Sequence, residues 1–169
     1  PNLEKITIWA RNTEKAKILI NKISNLDITI EVSSDIQLTS ANADIISTAT
    51  MAHEPILKGE WVKPGTHIDL IGAFTSDMRE ADDFLMSSGS IFVDSRATTI
   101  EHIGELTIPI SNGIISKNDI IGDFYDLIPS SKSGRKSNDE ITIFKNGGGA
   151  HLDLMIAKYL IEISNNSIS

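Results

Sequence analysis

Short apolar segments typical of buried strands alternate along this chain with segments of helical periodicity, and this alternation restricts the possible folds. Strands are predicted at 5–10, 28–32, 43–50, 67–72, 90–94 and 141–145. Helices are predicted at 14–23 with Thr13 as N-cap, briefly after Ser34 or Asp35, at 79–88, in parts of 114–127, and from 150 to about 164. The alternation predicts an α/β domain with helices flanking a mostly parallel sheet.

The amino-acid composition argues against several classes of function. The chain has 15 Lys and Arg against 23 Asp and Glu, a net charge of −8, which argues against nucleic acid or anionic membranes as partners. It has no cysteine, which excludes disulfides and thiol nucleophiles and fits a cytoplasmic location. No apolar run approaches the roughly 18 residues of a membrane span. No metal site is expected, because no metal motif has the spacing of the histidines, which are His53, His67, His102 and His151.

Small and polar residues follow the predicted strands, where open α/β sheets bind their ligands. Any single group of such residues could simply form a turn. Five such groups at the ends of predicted strands favour a ligand-binding edge of the sheet. The glycines at 147–149 could form a phosphate nest or could allow close packing. The acidic run of Asp77, Glu80, Asp82 and Asp83 is interpreted as a solvated helix start rather than a catalytic pair. The candidate cofactor-binding residues are Arg11, Asn12, Thr48, Ala49, Thr50, Ile71, Gly72, Ala73, Asn146 and Gly147.

Arg11 bears on the choice of cofactor. In dinucleotide-binding folds the second strand often ends in a carboxylate for the ribose hydroxyls, whereas an Arg suits a 2′-phosphate. Here the strand ends in Ala10 and Arg11, and no carboxylate follows until Glu14. The pattern predicts that NADP(H) is preferred and NAD(H) is possible. A solvated Arg at a helix start fits the sequence equally well.

A set of short motifs resembles the ornithine cyclodeaminase/mu-crystallin family over nearly the whole chain. Each motif alone is weakly specific, but together and in this order they are specific. The matching segments are 8–12, 14–16, 43–50, 54–57, 59–67, 71–73, 78–80, 93–95, 104–106 and 142–145.

The resemblance implies a Rossmann-like fold that binds NAD(P)(H), with residues 1–150 as its partial cofactor domain. Residues 151–169 are then expected to form a helix that packs on a substrate and dimerisation domain, in a homodimer. The family's first strand and its Gly-rich turn have no counterpart in the chain, which begins at the second strand. The chain alone is therefore expected to be inactive, and its catalytic and substrate-binding residues remain unassigned.

Phe74 bears on the reaction. Cyclodeaminases and alanine dehydrogenases of the family carry an Asp two residues after the position of Gly72, and this chain has Phe74 there. The resemblance thus implies an imine or ketimine reductase that transfers hydride to a cyclic imino acid such as Δ1-pyrroline-2-carboxylate. The alternatives are an ornithine cyclodeaminase or alanine dehydrogenase-type enzyme acting on an amino acid, and a non-catalytic, mu-crystallin-like protein that binds NADPH or a small ligand.

The resemblance also gives the candidate residues roles. Arg11 and Asn12 are expected at the adenosine ribose, and Thr48 and Ala49, next to Thr50, along the dinucleotide. The backbone of 71–73 is expected to line the nicotinamide, which Asn146 and Gly147 would close off.

Overall fold

The computed structural model describes residues 3–23 and 27–167, which form two compact units. The first unit comprises the described residues within 1–43 together with 61–63. The second comprises 44–60 and the described residues from 64 onward. None of the helices within the described residues is both long and apolar enough to cross a bilayer.

The first unit is built on two parallel strands that pair from Lys5 with Thr29 to Trp9 with Ser33. The helix after the first strand is capped by Asn12, whose Oδ1 accepts a hydrogen bond from the Lys15 N–H at 3.1 Å. The expectation that Thr13 is the cap is therefore wrong, because Thr13 is already the first helical residue. The elements are β1 (Lys5–Trp9), α1 (Thr13–Ile23), β2 (Thr29–Ser33) and α2 (Ile36–Asn42).

The second unit contains a five-stranded sheet in which every pair of neighbouring strands is parallel. Its strands are β3 (Ile45–Thr48), β4 (His67–Leu70), β5 (Ser90–Val93), β6 (Ile120–Gly122) and β7 (Thr142–Lys145), in the order β3-β4-β7-β5-β6. Its helices are α3 (Asp83–Ser88), α4 (Arg96–Thr99), α5 (Gly104–Ser111), α6 (Phe124–Leu127) and α7 (Ala150–Ser167). The predicted α/β class and parallel sheet are confirmed.

The central strands of this sheet carry the core of the second unit. Parallel strands with both faces covered need apolar side chains on each face. Leu70, Val93 and Ile143 are accordingly inaccessible to solvent, and Leu85 and Leu106 from the flanking helices are equally buried. Burying each such side chain contributes about 1.5–3 kcal/mol.

Two sequence predictions need correction. The helix predicted at 79–88 begins only at Asp83, because the backbone before it bonds elsewhere: the Arg79 N–H donates to Ala52 O and the Asp82 N–H to Leu57 O. The segment 114–127 contains the strand β6 as well as helix and turn. Since β6 has only three residues, its sequence shows no usable alternation.

Candidate functional site

Eight of the ten predicted cofactor-binding residues lie along the carboxyl edge of the five-stranded sheet. Since β3, β4 and β7 are neighbours and parallel, the residues that follow them share this edge. Backbone bonds continue the pairing beyond the strands, from the Ile71 N–H to Thr48 O at 2.9 Å and from the Asn146 N–H to Leu70 O at 3.1 Å. The eight residues are Thr48, Ala49, Thr50, Ile71, Gly72, Ala73, Asn146 and Gly147.

Glu80 fixes the ends of β3 and β4. Its side chain is fully buried, and Oε2 accepts hydrogen bonds from Thr48 Oγ1 at 2.7 Å and the Gly72 N–H at 2.8 Å. Oε1 accepts from both the N–H and the Oγ1 of Thr50, each at 2.7 Å. One carboxylate therefore sets the backbone path at the strand ends, and for Glu80 the expectation of a solvated acidic helix start is wrong.

Asp82 lies at a helix start, as predicted, but its side chain is half-buried and bonded rather than solvated. Its Oδ1 accepts hydrogen bonds from the Leu85 N–H at 2.9 Å and the Gly59 N–H at 3.0 Å, so it caps α3 and anchors the turn at Gly59. Asp77, by contrast, is exposed as predicted.

Glu105 lies behind Glu80 and holds its backbone. The Glu105 carboxyl accepts hydrogen bonds from the Glu80 N–H at 2.7 Å and the Ala81 N–H at 2.9 Å. Burial raises the pKa of Glu105 to about 7, although these two N–H groups and Lys145 act to lower it. The ends of β3 and β4 are therefore held by the Glu80 carboxylate, and the backbone at Glu80 is held in turn by the Glu105 carboxyl group.

Two glycines permit this close packing. A Cβ at Gly72 would lie 2.0 Å from Thr50 O, and one at Gly104 would lie 2.4 Å from Met78 O. Backbone atoms cannot yield to such contacts, so larger residues are excluded at both positions. Ala73 is also buried, packed with Met78 and Ile103, so its side chain belongs to the core.

Lys145 and Asp94 are buried charged residues at the same edge. Lys145 Nζ donates to Leu70 O at 2.9 Å, and burial lowers the pKa of this amine against the opposing effect of nearby carboxylates. Asp94 Oδ1 accepts from the Ser95 N–H at 2.8 Å, while its Oδ2 has no partner among the described residues. These two residues end the predicted strands 90–94 and 141–145, but no sequence pattern gives them a role.

The glycine segment after β7 packs closely at its start. A Cβ at Gly147 would lie 2.6 Å from Thr99 Cγ2 and 3.1 Å from Asp94 Oδ1. Asn146 Oδ1 accepts the Gly148 N–H at 2.8 Å, and Gly148 has a φ of 68°. Close packing is therefore one reason for glycine at Gly147.

Arg11 and Asn12 belong to the first unit, at the end of β1, and both are exposed. The Asn12 side chain is engaged through its oxygen in capping α1, and its amide nitrogen makes no hydrogen bond to any residue that the structure describes. The other eight residues belong to the second unit.

Comparison with known proteins identifies the family. The model described as "Ornithine cyclodeaminase/mu-crystallin family" matches residues 1–167. The chain belongs to this family. The predicted resemblance is thereby confirmed.

Individual members of the family can also be compared. The chain is 51% identical over 163 residues to the Delta(1)-pyrroline-2-carboxylate reductase of Paracoccus denitrificans, covering 96% of this chain and 52% of the relative. It superimposes with a TM-score of 0.83 and 32% identity on the Delta(1)-pyrroline-2-carboxylate reductase of Thermococcus litoralis in complex with NADH and L-proline, over 87% of this chain and 46% of that one. It also superimposes on an archaeal alanine dehydrogenase dimer with bound NAD, with a TM-score of 0.86 and 30% identity, over 96% of this chain and 51% of that one. The chain spans about half the length of the relatives it matches.

Proposed function

We propose that this chain is the cofactor-binding part of an NAD(P)H-dependent imine reductase of the Δ1-pyrroline-2-carboxylate reductase type. The observation that carries the proposal is the 51% identity to a reductase of that name, which extends over 96% of the chain. A second reductase of the same name was solved with NADH and L-proline, and L-proline is what reduction of that imine yields.

The carboxyl edge fits a nicotinamide dinucleotide. Ile71 is exposed and Gly72 carries no side chain, so a flat ring could approach the backbone at this point. Glu80 holds the Gly72 and Thr50 backbones in one arrangement, so a ligand would meet strand ends that are already ordered. The bound cofactor would supply the hydride, and the chain's own residues would position it.

The experiment is an assay of the full-length natural protein with three substrates. We expect oxidation of reduced cofactor with Δ1-pyrroline-2-carboxylate, and neither ammonia release from L-ornithine nor pyruvate formation from L-alanine. Phe74 cannot transfer a proton, which favours reduction of a preformed imine over deamination of an amine. Faster turnover of ornithine or alanine than of the imine would contradict the assignment.

An amino-acid dehydrogenase is the second candidate. It is favoured by the alanine dehydrogenase structure, at 30% identity over 96% of the chain. The alanine arm of the same assay distinguishes the two, since a dehydrogenase would reduce NAD⁺ with L-alanine and fail with the imine.

The proposal extends to a preference for NADPH over NADH. Arg11 is exposed at the end of β1, where it could offer two parallel donors to a 2′-phosphate. A hydrogen bond to a charged group contributes roughly 1.5–3 kcal/mol, about tenfold to a hundredfold in affinity.

The change that tests this preference is Arg11→Ala in the full-length protein. We expect kcat/KM with NADPH to fall relative to NADH, roughly tenfold to a hundredfold. Lys15→Ala is the matched control, because it removes another exposed cation four residues further along the chain. A wild type that prefers NADH, or a ratio that Arg11→Ala leaves unchanged, would refute the role of Arg11.

We also propose that α7 packs against the rest of a longer, dimeric protein in the cytoplasm. Seven large apolar residues of this helix are 44–61% exposed, namely Leu154, Met155, Ile156, Tyr159, Leu160, Ile161 and Ile163. Such a continuous apolar surface needs a covering partner. Light scattering of the full-length protein measures its oligomeric state, and replacing Leu160 and Ile161 with Asp should convert a dimer to monomers or cause aggregation.

A further inference from the structure

Reduction of a C=N bond requires a proton as well as a hydride. An imine reductase therefore needs a proton donor near the carboxyl edge of the sheet, where the cofactor is proposed to bind. The buried groups there are poor donors to a ligand. Glu80 accepts four hydrogen bonds, Lys145 donates to Leu70 O, and Asp94 is fully buried. A proton donor has to be accessible and oriented.

His53 and Asp77 form an accessible pair at this edge. His53 lies in the loop after β3 and Asp77 in the loop after β4, which are neighbouring parallel strands. His53 Nδ1 is 3.2 Å from Asp77 Oδ2 and 3.2 Å from Asp77 O. The two side chains are 62% and 70% exposed.

The contacts of the pair determine which imidazole nitrogen can act. Both neighbours of Nδ1 are acceptors, a carboxylate and a carbonyl, so Nδ1 carries a hydrogen and donates it. Nε2 makes no hydrogen bond within the part of the chain that the structure describes. It is therefore the nitrogen that gains and loses the second proton, and it is open to a ligand.

Asp77 is itself held in place. Thr75 Oγ1 donates to Asp77 Oδ1 at 2.6 Å. This hydrogen bond, together with one from a backbone N–H and the nearby His53, holds the pKa of Asp77 below its ordinary value. Asp77 thus remains a carboxylate that orients the imidazole and stabilises its cation.

The surroundings of the pair suit a small apolar ring. Met51, Ile71 and Phe74 lie in the same two loops and are 70%, 42% and 58% exposed. These apolar side chains flank the Thr50 and Gly72 positions that Glu80 fixes. Exposed apolar side chains beside a polar pair are typical of a ligand-binding surface.

We infer that His53 is the proton donor of the reductase, with Asp77 as its positioning residue. The inference rests on the proposed function. His53 as the imidazolium gives the proton on Nε2 to the imine nitrogen while the imine carbon receives the hydride of the reduced cofactor. The C=N double bond becomes a C–N single bond, the cofactor is oxidised, and neutral imidazole regains its proton from water.

Within the described residues, Asp77 is the charged group that pairs with His53. Asp77 is a carboxylate in the loop after β4, and a second carboxylate, Glu54, follows His53 in the sequence. The backbone N–H of Arg79 donates to the carbonyl of Ala52, the residue before His53. The Arg79 guanidinium, however, donates to Ala81 O and to Asp83 Oδ1, the latter at 2.7 Å. Asp77 is therefore the carboxylate in contact with the His53 imidazole.

The test uses the full-length protein and the variants His53→Gln, His53→Ala and Asp77→Asn. We expect His53→Gln to lower kcat/KM for the cyclic imine about a hundredfold and to remove the alkaline fall of the pH profile, with the Kd for reduced cofactor unchanged. Asp77→Asn should also lower kcat/KM for the cyclic imine, because the imidazole loses the carboxylate that orients it. Added imidazole should partly restore His53→Ala.

A second readout needs neither cofactor nor turnover. In the cofactor-free protein, nitrogen NMR should show His53 with hydrogen on Nδ1 in its neutral form. Asp77→Asn should raise the fraction of neutral His53 that carries its hydrogen on Nε2, because Nδ1 loses its carboxylate acceptor. Glu54→Gln is the matched control for removing a neighbouring carboxylate, and His102→Gln for removing another exposed histidine. Both controls should retain wild-type kcat/KM.

The outcomes separate this inference from the proposed function. If the wild type reduces the imine and His53→Gln has the same kcat/KM and pH profile, His53 is not the donor and the reductase assignment stands. A neutral His53 with hydrogen on Nε2 would also overturn the inference. A wild type that does not reduce the imine would refute both.

Discussion

The two compact units of the chain differ in how firmly they hold their candidate binding residues. In the five-stranded unit, Leu70, Val93 and Ile143 are inaccessible to solvent in neighbouring strands. In the two-stranded unit no residue of β1 or β2 is fully buried. Among the described residues of its helices, Ala16 and Ser40 are the buried ones.

This difference separates two kinds of candidate binding residue. Thr48, Thr50 and Gly72 are fixed by a buried carboxylate, whereas Arg11 stands exposed at the end of a strand. A two-stranded sheet is marginally stable by itself. We therefore expect stability to be concentrated in the five-stranded unit, and Thr48, Thr50 and Gly72 to be held more rigidly than Arg11.

The largest expected effect is that of Glu80→Gln. The amide would present N–H groups to donors that now bond a carboxylate, leaving buried donors without acceptors. We expect the free energy of unfolding to fall by about 3–5 kcal/mol. Urea denaturation of the protein measures the loss, and hydrogen exchange should locate it at 48–50 and 71–72.

Glu60→Gln is the matched control, because Glu60 is exposed in the turn before β4. It should leave the free energy of unfolding within about 0.5 kcal/mol of wild type. Equal effects of the two substitutions would mean that Glu80 does not anchor the strand ends.

A smaller effect, dependent on pH, is expected from Glu105. Between its ordinary pKa of 4.5 and the folded value of about 7, the unfolded chain loses the Glu105 proton while the folded protein keeps it. The contribution of Glu105 to stability therefore falls as pH rises through this window, by about 3 kcal/mol in total, and is constant above it.

The comparison with Glu105→Gln isolates this contribution, because glutamine does not titrate. The difference in unfolding free energy, wild type minus variant, should decrease steadily from pH 4.5 to 7. A difference that does not vary with pH would show that Glu105 is not protonated in the folded state at neutral pH.

The sequence allowed the α/β fold and the edge of the candidate site to be predicted, because both depend on local patterns. Strand patterns such as 67–72 and 141–145 were close to β4 and β7, since each is a short run with buried apolar residues that is bounded by glycine or polar residues. Most of the candidate residues followed from the rule that ligands bind at carboxyl ends of strands.

The buried carboxyl groups could not be predicted in the same way. Glu80 lies in an acidic run, and only the tertiary contacts with Thr48, Thr50 and Gly72 distinguish it from its exposed neighbour Asp77. Such bonds join residues 8 to 32 positions apart, and no local pattern encodes them. The pairing of His53 with Asp77 is likewise a consequence of the order of β3 and β4.

The smallest expected effect is that of Asn12→Ala, which tests the stability of the two-stranded unit. Asn12→Ala removes the acceptor of the Lys15 N–H and should cost about 1 kcal/mol. If the two-stranded unit is the weaker one, hydrogen exchange should accelerate in α1 and leave the amides of β4 and β7 at their wild-type rates. Lys15→Ala is the control, because it keeps the backbone N–H that Asn12 caps. Equal acceleration in β4 and β7 would show that the two units unfold together, and the contrast between them would then be one of burial without a difference in stability.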